Sequence, residues 1–97
     1  MANVLRISEE NTPENLLRHR AAKMESVLQK AERILRLGEA RLIQGNPMAA
    51  RILKKRARHA ARHAMSLMGI LMIEYGINVA APAERAKTIV LATRNGS

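Results

Sequence analysis

The side chains with the clearest chemical potential are basic ones on the stretch from Pro47 to Tyr75. At 100° per residue, they share one face of a helix. They are Arg51, Lys54, Lys55, Arg58, His59 and Arg62. No acid interrupts them, although like charges three or four residues apart on a helix repel by a few tenths of a kcal/mol per pair. The pattern fits a surface that binds phosphate or carboxylate groups. The alternatives are a solvated basic helix and one neutralised by a second subunit.

The composition of the whole chain narrows the class of partner. In 97 residues, 17 Lys and Arg stand against 8 acidic residues, which gives a formal net charge of +9. Such a surplus favours nucleic acid, an anionic membrane surface or an acidic protein. The chain has one Tyr and no Phe or Trp, so stacking on single-stranded bases is not expected. Among nucleic acids we therefore expect duplex DNA or structured RNA, bound mainly through the phosphate backbone.

No combination of residues points to catalysis. Ser8, Ser66 and Ser97 have no Asp to complete a triad, and the chain has no Cys and no Gly-rich phosphate loop. His59 and His63 have the spacing that can place two imidazoles on one metal ion, but no third ligand stands near them and the neighbouring arginines would repel a cation. We expect a non-enzymatic protein with no metal, no cofactor and no small-molecule substrate.

A membrane role is not expected either. The longest uncharged run, residues 64–73, is well short of the ~20 residues that a spanning helix needs. The N-terminus lacks the basic and then apolar segments of a signal peptide. A helix lying on a membrane would need large apolar anchors such as Trp or Phe, and the chain has neither. The sequence predicts a cytoplasmic protein, which the lack of Cys also fits.

The first long element is predicted from its start signal and its apolar spacing. Thr12-Pro13-Glu14 combines an N-cap, a Pro at the first helical position and an acid in the first turn. Apolar or small residues then recur three and four residues apart, as on a helix packed along its length against another. They are Leu17, Ala21, Met24, Leu28, Ala31, Leu35, Gly38 and Leu42. Because the pattern resumes in phase at Leu42, we predict one helix over 13–44 that continues through Gly38.

The second element follows a short connection. Gly45-Asn46-Pro47 joins a helix terminator, an N-cap and a first-turn Pro, and so short a link implies an antiparallel hairpin. The second helix should run over 47–75. Near the turn, Arg36 and Arg41 of the first helix would join the basic face of the second.

A third, short helix is predicted over 82–94, packed against the foot of the hairpin, the end away from its turn. An N-terminal arm (1–12) and a frayed tail (95–97) complete a single domain. The predicted fold class is all-α, a long antiparallel helical hairpin with a short C-terminal helix.

The second helix becomes apolar nearly all round towards the foot. Met65, Gly69, Met72 and Ile73 continue the basic face there, and Met68 lies on the opposite face with Leu71. A helix that is apolar on all sides has to be covered on all sides. We expect Met65, Met68, Gly69, Met72 and Ile73 to form the interface of a homodimer, and the alternative is that they belong to the core of one chain.

The function that this pattern favours is binding of nucleic acid by a small basic protein. In composition alone, with no residue-level motif, the chain resembles small bacterial or phage regulators, which implies a regulatory role. The rival hypothesis is an adaptor or inhibitor whose Arg-rich helix, or apolar helix end, docks on an acidic protein partner. A structural subunit of a larger assembly is a third possibility.

Overall fold

Three helices make up the part of the chain that the computed structural model describes, residues 12–94. They are α1 (Pro13–Ile43), α2 (Pro47–Tyr75) and α3 (Ala80–Ala92). The predicted all-α hairpin with a short third helix is confirmed. The predictions for the arm, apart from Thr12, and for the tail at 95–97 lie outside the described residues.

The hairpin turn is formed by Gly45 and Asn46, the residues from which the sequence predicted it. α1 ends at Ile43, one residue before the predicted end, with Gln44 as its C-cap. Gly45 follows with a φ of 80°, a conformation that a residue with a Cβ rarely adopts. The Asn46 side chain then accepts a 3.2 Å hydrogen bond from the Ala49 backbone N–H, which satisfies one free donor at the start of α2.

Small side chains bring α1 and α2 together along their length. The buried positions of α2 that face α1 are largely alanines, namely Ala50, Ala57, Ala61 and Ala64, followed by Met68 and Leu71. On α1 they meet Met24, Leu28, Ala31 and Gly38. α1 continues through Gly38, as predicted. A Cβ there would lie 3.3 Å from the Leu53 Cβ and 3.4 Å from the Ala50 carbonyl oxygen, so the close approach of the two helices explains this glycine.

α3 starts two residues earlier than predicted and packs on one flank of the hairpin. The Asn78 side chain accepts a hydrogen bond from the Ala80 N–H at 3.0 Å. Pro82 therefore lies inside the first turn, where no intrahelical N–H bond is lost. Ala86, Ile89 and Thr93 are buried against the hairpin. α3 thus returns from the foot along α1 and α2, leaving the opposite flank and the turn end uncovered by described residues.

No helix within residues 12–94 is both long enough and apolar enough to cross a membrane.

Candidate functional site

The basic residues of α2 lie mainly on its outer face, turned away from α1. Arg51, Lys55, His59 and Arg62 are exposed to solvent. None of the ion pairs found within residues 12–94 involves them. Over about 17 Å of helix, α2 therefore presents positive or protonatable groups that have no ion-pair partner in the described part of the chain.

Lys54 and Arg58, predicted on the same face, are half-buried. The stem of Lys54 packs beside Gly38, where a Cβ would lie 3.3 Å from the Lys54 Cγ. The Arg58 Nη1 donates a 2.8 Å hydrogen bond to the Thr93 carbonyl oxygen. This bond satisfies a carbonyl at the end of α3, where helices lack internal donors. Arg58 therefore fastens α3 to the hairpin.

A groove of about 730 Å³ lies between α1 and α2. Its polar lining consists of Lys23, Ser26 and Lys30 from α1 and of Arg56, His59 and His63 from α2. The apolar lining is Val27, Ile34 and Ala60. No acidic residue lines it. We call it the basic groove; with the outer face of α2 it forms one continuous basic surface, because His59 belongs to both.

The basic groove is free of acids because α1 separates its charges by side. Lys23 and Lys30 are seven residues apart, and so are Glu25 and Glu32. At 100° per residue, these two pairs are centred about 160° apart around the helix axis. The glutamates consequently point to the flank that α3 covers, and the lysines point to the open flank.

Arg85 of α3 neutralises the acidic flank. Its Nη1 and Nη2 donate to the two Glu25 carboxylate oxygens at 3.0 and 2.9 Å. Its Nε and Nη2 donate to the Glu32 carboxylate oxygens at 3.1 and 2.7 Å. The Glu32 carboxylate thus binds Arg85 of α3, although Arg36 lies one turn further along α1. One guanidinium thus holds two carboxylates, each by two hydrogen bonds.

The same contacts displace the pKa of all three groups. Hydrogen bonds from Arg85 lower the pKa of the Glu25 carboxyl, against a smaller opposing effect of burial. The Glu32 pKa is lowered for the same reason. Hydrogen bonds to Glu32 and then Glu25 raise the Arg85 pKa. Since hydrogen bonds to the charged form favour that form, the cluster stays ionised at neutral pH.

The turn end of the hairpin, here called the tip, is both basic and apolar. Arg36 and Arg41 are exposed there, and the Arg41 Nη1 donates a 2.9 Å hydrogen bond to the Gln44 Oε1. Beside them, Ile43 is 87% exposed and Met48 is 69% exposed. Exposed apolar side chains next to arginines are common where proteins bind proteins.

The apolar stretch of α2 near the foot divides between core and surface. Met68 is only 2% exposed and packs in the hairpin core with Leu71. Its predicted place in an interface is therefore corrected, because its position on the helix turns it towards α1. Met65, Met72 and Ile73 are exposed, and a Cβ at Gly69 would meet nothing within 4 Å. We call these four residues the apolar patch.

Several of these residues were not singled out from the sequence. The lysines of the basic groove, Lys23 and Lys30, were missed because they belong to α1, whereas the cluster of basic residues in the sequence belongs to α2. Arg85 was missed because its partners are more than fifty residues away in sequence. In the sequence, the seven-residue spacing of Lys23 and Lys30, and the same spacing of Glu25 and Glu32, could have indicated that α1 has one basic and one acidic side.

Among the described residues, no group of three metal-ligand side chains is close enough to hold an ion.

The chain matches no protein-family model, and neither a curated protein nor a solved structure is detectably similar to it. The functional assignment therefore depends on the surfaces described above.

Proposed function

We propose that the protein binds double-stranded or structured nucleic acid through the phosphate backbone, without catalysing a reaction. The observation that carries this proposal is the basic groove, a concave site with Lys23, Lys30 and Arg56 around it and no acid in its lining. Adjoining it, Arg51 and Lys55 are exposed on the outer face of α2. A regulatory role in the cytoplasm would be in keeping with a small protein of this kind.

The dimensions of the surface fit a phosphate strand. From Arg51 to His63, α2 is about 18 Å long. One strand of B-form DNA places a phosphate about every 3.4 Å along the duplex axis, so about five phosphates pass over that length. Each phosphate neutralised by a Lys or Arg releases condensed counterions, which favours binding whatever the base sequence. We therefore expect affinity with little sequence preference.

The kind of nucleic acid follows from what lines the groove. Its lining contains no Phe, Tyr or Trp, the large aromatic residues on which single-stranded bases commonly stack. The arginine and lysine side chains around the groove and on the outer face of α2 can instead contact the phosphates of a duplex. We expect a duplex to be preferred over an unstructured single strand of equal length.

The test is fluorescence anisotropy of a labelled DNA duplex and a labelled RNA hairpin with single-residue variants. Lys30→Ala and Arg56→Ala should each weaken binding about 5- to 10-fold at low salt, because each removes about one phosphate contact. Lys87→Ala is the matched control. It removes one exposed positive charge from α3, on the flank away from the groove, and should change affinity less than 2-fold by the same reasoning.

Equal loss of affinity in all three variants would show that only net charge matters and would contradict the proposed site. An absence of binding by the unchanged protein at low salt would contradict the proposed function itself.

A second candidate function is docking on an acidic protein through the tip. The observation that favours it is the exposure of Ile43 and Met48 beside Arg41, since phosphate contacts make no use of apolar side chains. A partner would need an apolar pocket bordered by carboxylates. The double variant Ile43→Ser with Met48→Ser would abolish such a complex, whereas it should leave duplex affinity within about 2-fold because no charge is removed.

A further inference from the structure

We propose that the apolar patch is the interface of a homodimer in which two α2 helices cross antiparallel at Gly69. The patch lies on the outer side of α2, away from α1 and α3, and no described residue covers it. Met65 is 43%, Met72 52% and Ile73 80% exposed. These residues lie on both sides of Gly69, three or four positions away, so they surround it on one helix face.

Gly69 is the decisive residue. A glycine inside a helix costs about 1 kcal/mol relative to alanine. At Gly38 the close approach of α2 explains that cost, whereas a Cβ at Gly69 would meet no atom within 4 Å. Nothing within the described chain therefore requires a glycine at this position. A second helix crossing there would require it, because a missing side chain lets two helix backbones come close.

The charges on α2 indicate a second copy of the same chain in antiparallel orientation. In a two-fold arrangement centred on Gly69, each residue faces the one equally far on the other side of the centre, so Met65 meets Ile73 of the second copy. Arg62, seven residues before Gly69, would lie beside position 76 of the second copy, where its α2 ends. The last turn of α2 carries no basic residue of its own. A positive charge is favourable at that end because the helix dipole is negative there.

This arrangement assigns Arg62 to the interface and leaves the basic groove free. Residues 51–58 would extend past the foot of the second copy, so the two tips and the two basic surfaces lie at opposite ends of the dimer. The contact is isologous and closes after two subunits, which excludes open-ended association through this surface.

The first test is sedimentation velocity over a range of protein concentrations, together with circular dichroism. The unchanged protein should be a dimer, and Gly69→Leu should be a monomer with unaltered helicity, since a Cβ at this position meets no neighbouring atom within 4 Å. Ala22→Leu is the matched control, because it adds a leucine at an exposed position of α1 and should remain dimeric. Gly69→Ala should weaken the dimer yet raise the thermal stability of the monomer.

A monomeric unchanged protein at every concentration would overturn the proposal. A Gly69→Leu variant that still dimerises as well as the control would overturn the assignment of the surface.

The orientation is tested by disulfide formation, which is clean because the chain has no Cys. In the antiparallel dimer, position 65 faces position 73. A mixture of the Met65→Cys and Ile73→Cys variants should therefore cross-link on mild oxidation, and either variant alone should not. Efficient cross-linking of each variant with itself would show a parallel crossing and contradict the arrangement.

Discussion

Glycines at two positions in the long helices have opposite surroundings, and the difference separates a structural residue from an interface residue. Gly38 lies against Leu53 and Lys54 of the neighbouring helix. At Gly69, by contrast, an added Cβ would meet no neighbouring atom within 4 Å. The sequence predicted that α1 would continue through the first glycine, because the apolar spacing on either side of it stays in phase. The surroundings of the second glycine could be described only once the positions of all neighbouring helices were known.

At Gly38, a larger side chain should destabilise the hairpin. Gly38→Leu would push the Leu53 and Ala50 backbones away from α1, and overpacking of this kind typically costs about 1–3 kcal/mol. The free energy of unfolding, measured by urea titration, should fall by about that amount. Glu39→Leu is the control, since it adds the same side chain one residue later at an exposed position. Equal stability of the two variants would contradict the packing described for Gly38.

At the scale of elements, Arg85 links α3 to the flank of the hairpin that carries Glu25 and Glu32. Its guanidinium is shared by Glu25 and Glu32, and all three side chains are partly exposed, at 37%, 40% and 28% respectively. Partly exposed ion pairs contribute at most about 1 kcal/mol each. The buried residues Ala86 and Ile89 therefore supply most of the attachment of α3 to the hairpin.

This cluster predicts how stability changes with pH. Because Arg85 lowers the pKa of Glu25 and Glu32 in the folded protein, the unfolded chain binds protons more readily than the folded one below the ordinary glutamate pKa of about 4.3. The contribution of the two ion pairs to the free energy of unfolding is complete above that pH. It is lost as the pH falls through the lowered pKa values of Glu25 and Glu32. Urea titrations at a series of acidic pH values should show this loss.

Arg85→Met provides the control, because it keeps an apolar stem and removes the hydrogen-bond donors. Its stability should be lower than that of the unchanged protein at neutral pH and should fall less steeply with acid. Parallel curves for the two proteins would exclude the cluster as the source of the acid sensitivity.

The helices themselves were predictable because local signals mark their ends. Thr12, Asn46 and Gly76 take the capping positions expected of them. The start of α3 was predicted two residues late because Pro82 lies inside the first turn and not at the first helical position, and the N-cap residue, Val79, makes no side-chain capping bond that the sequence could signal. The sequence did not predict which flank of the hairpin α3 covers, because this depends on contacts between residues of α1 and α3 that are far apart in sequence. For the same reason it did not predict the basic groove on the opposite flank.

At the scale of the whole molecule, shape and charge act together. The principal-axis extents are 57 × 29 × 14 Å and the radius of gyration is 16.9 Å, against about 13 Å for a compact chain of ~100 residues. An elongated hairpin has little core and much side surface. α3 covers one flank, the basic groove occupies the other, and the apolar patch lies on the outer side of α2 near the foot. Separate surfaces are thereby available for nucleic acid and for a second copy.

The most direct test of the central claim is the salt dependence of duplex binding by the unchanged protein. If Lys23, Lys30, Arg51, Lys55 and Arg56 each neutralise one phosphate, the logarithm of the association constant should fall against the logarithm of salt concentration with a slope of about −4 to −5. Nonspecific contact predicts the same slope for duplexes of unrelated sequence. A slope close to zero would contradict binding through the phosphate backbone, and with it the function assigned to this surface.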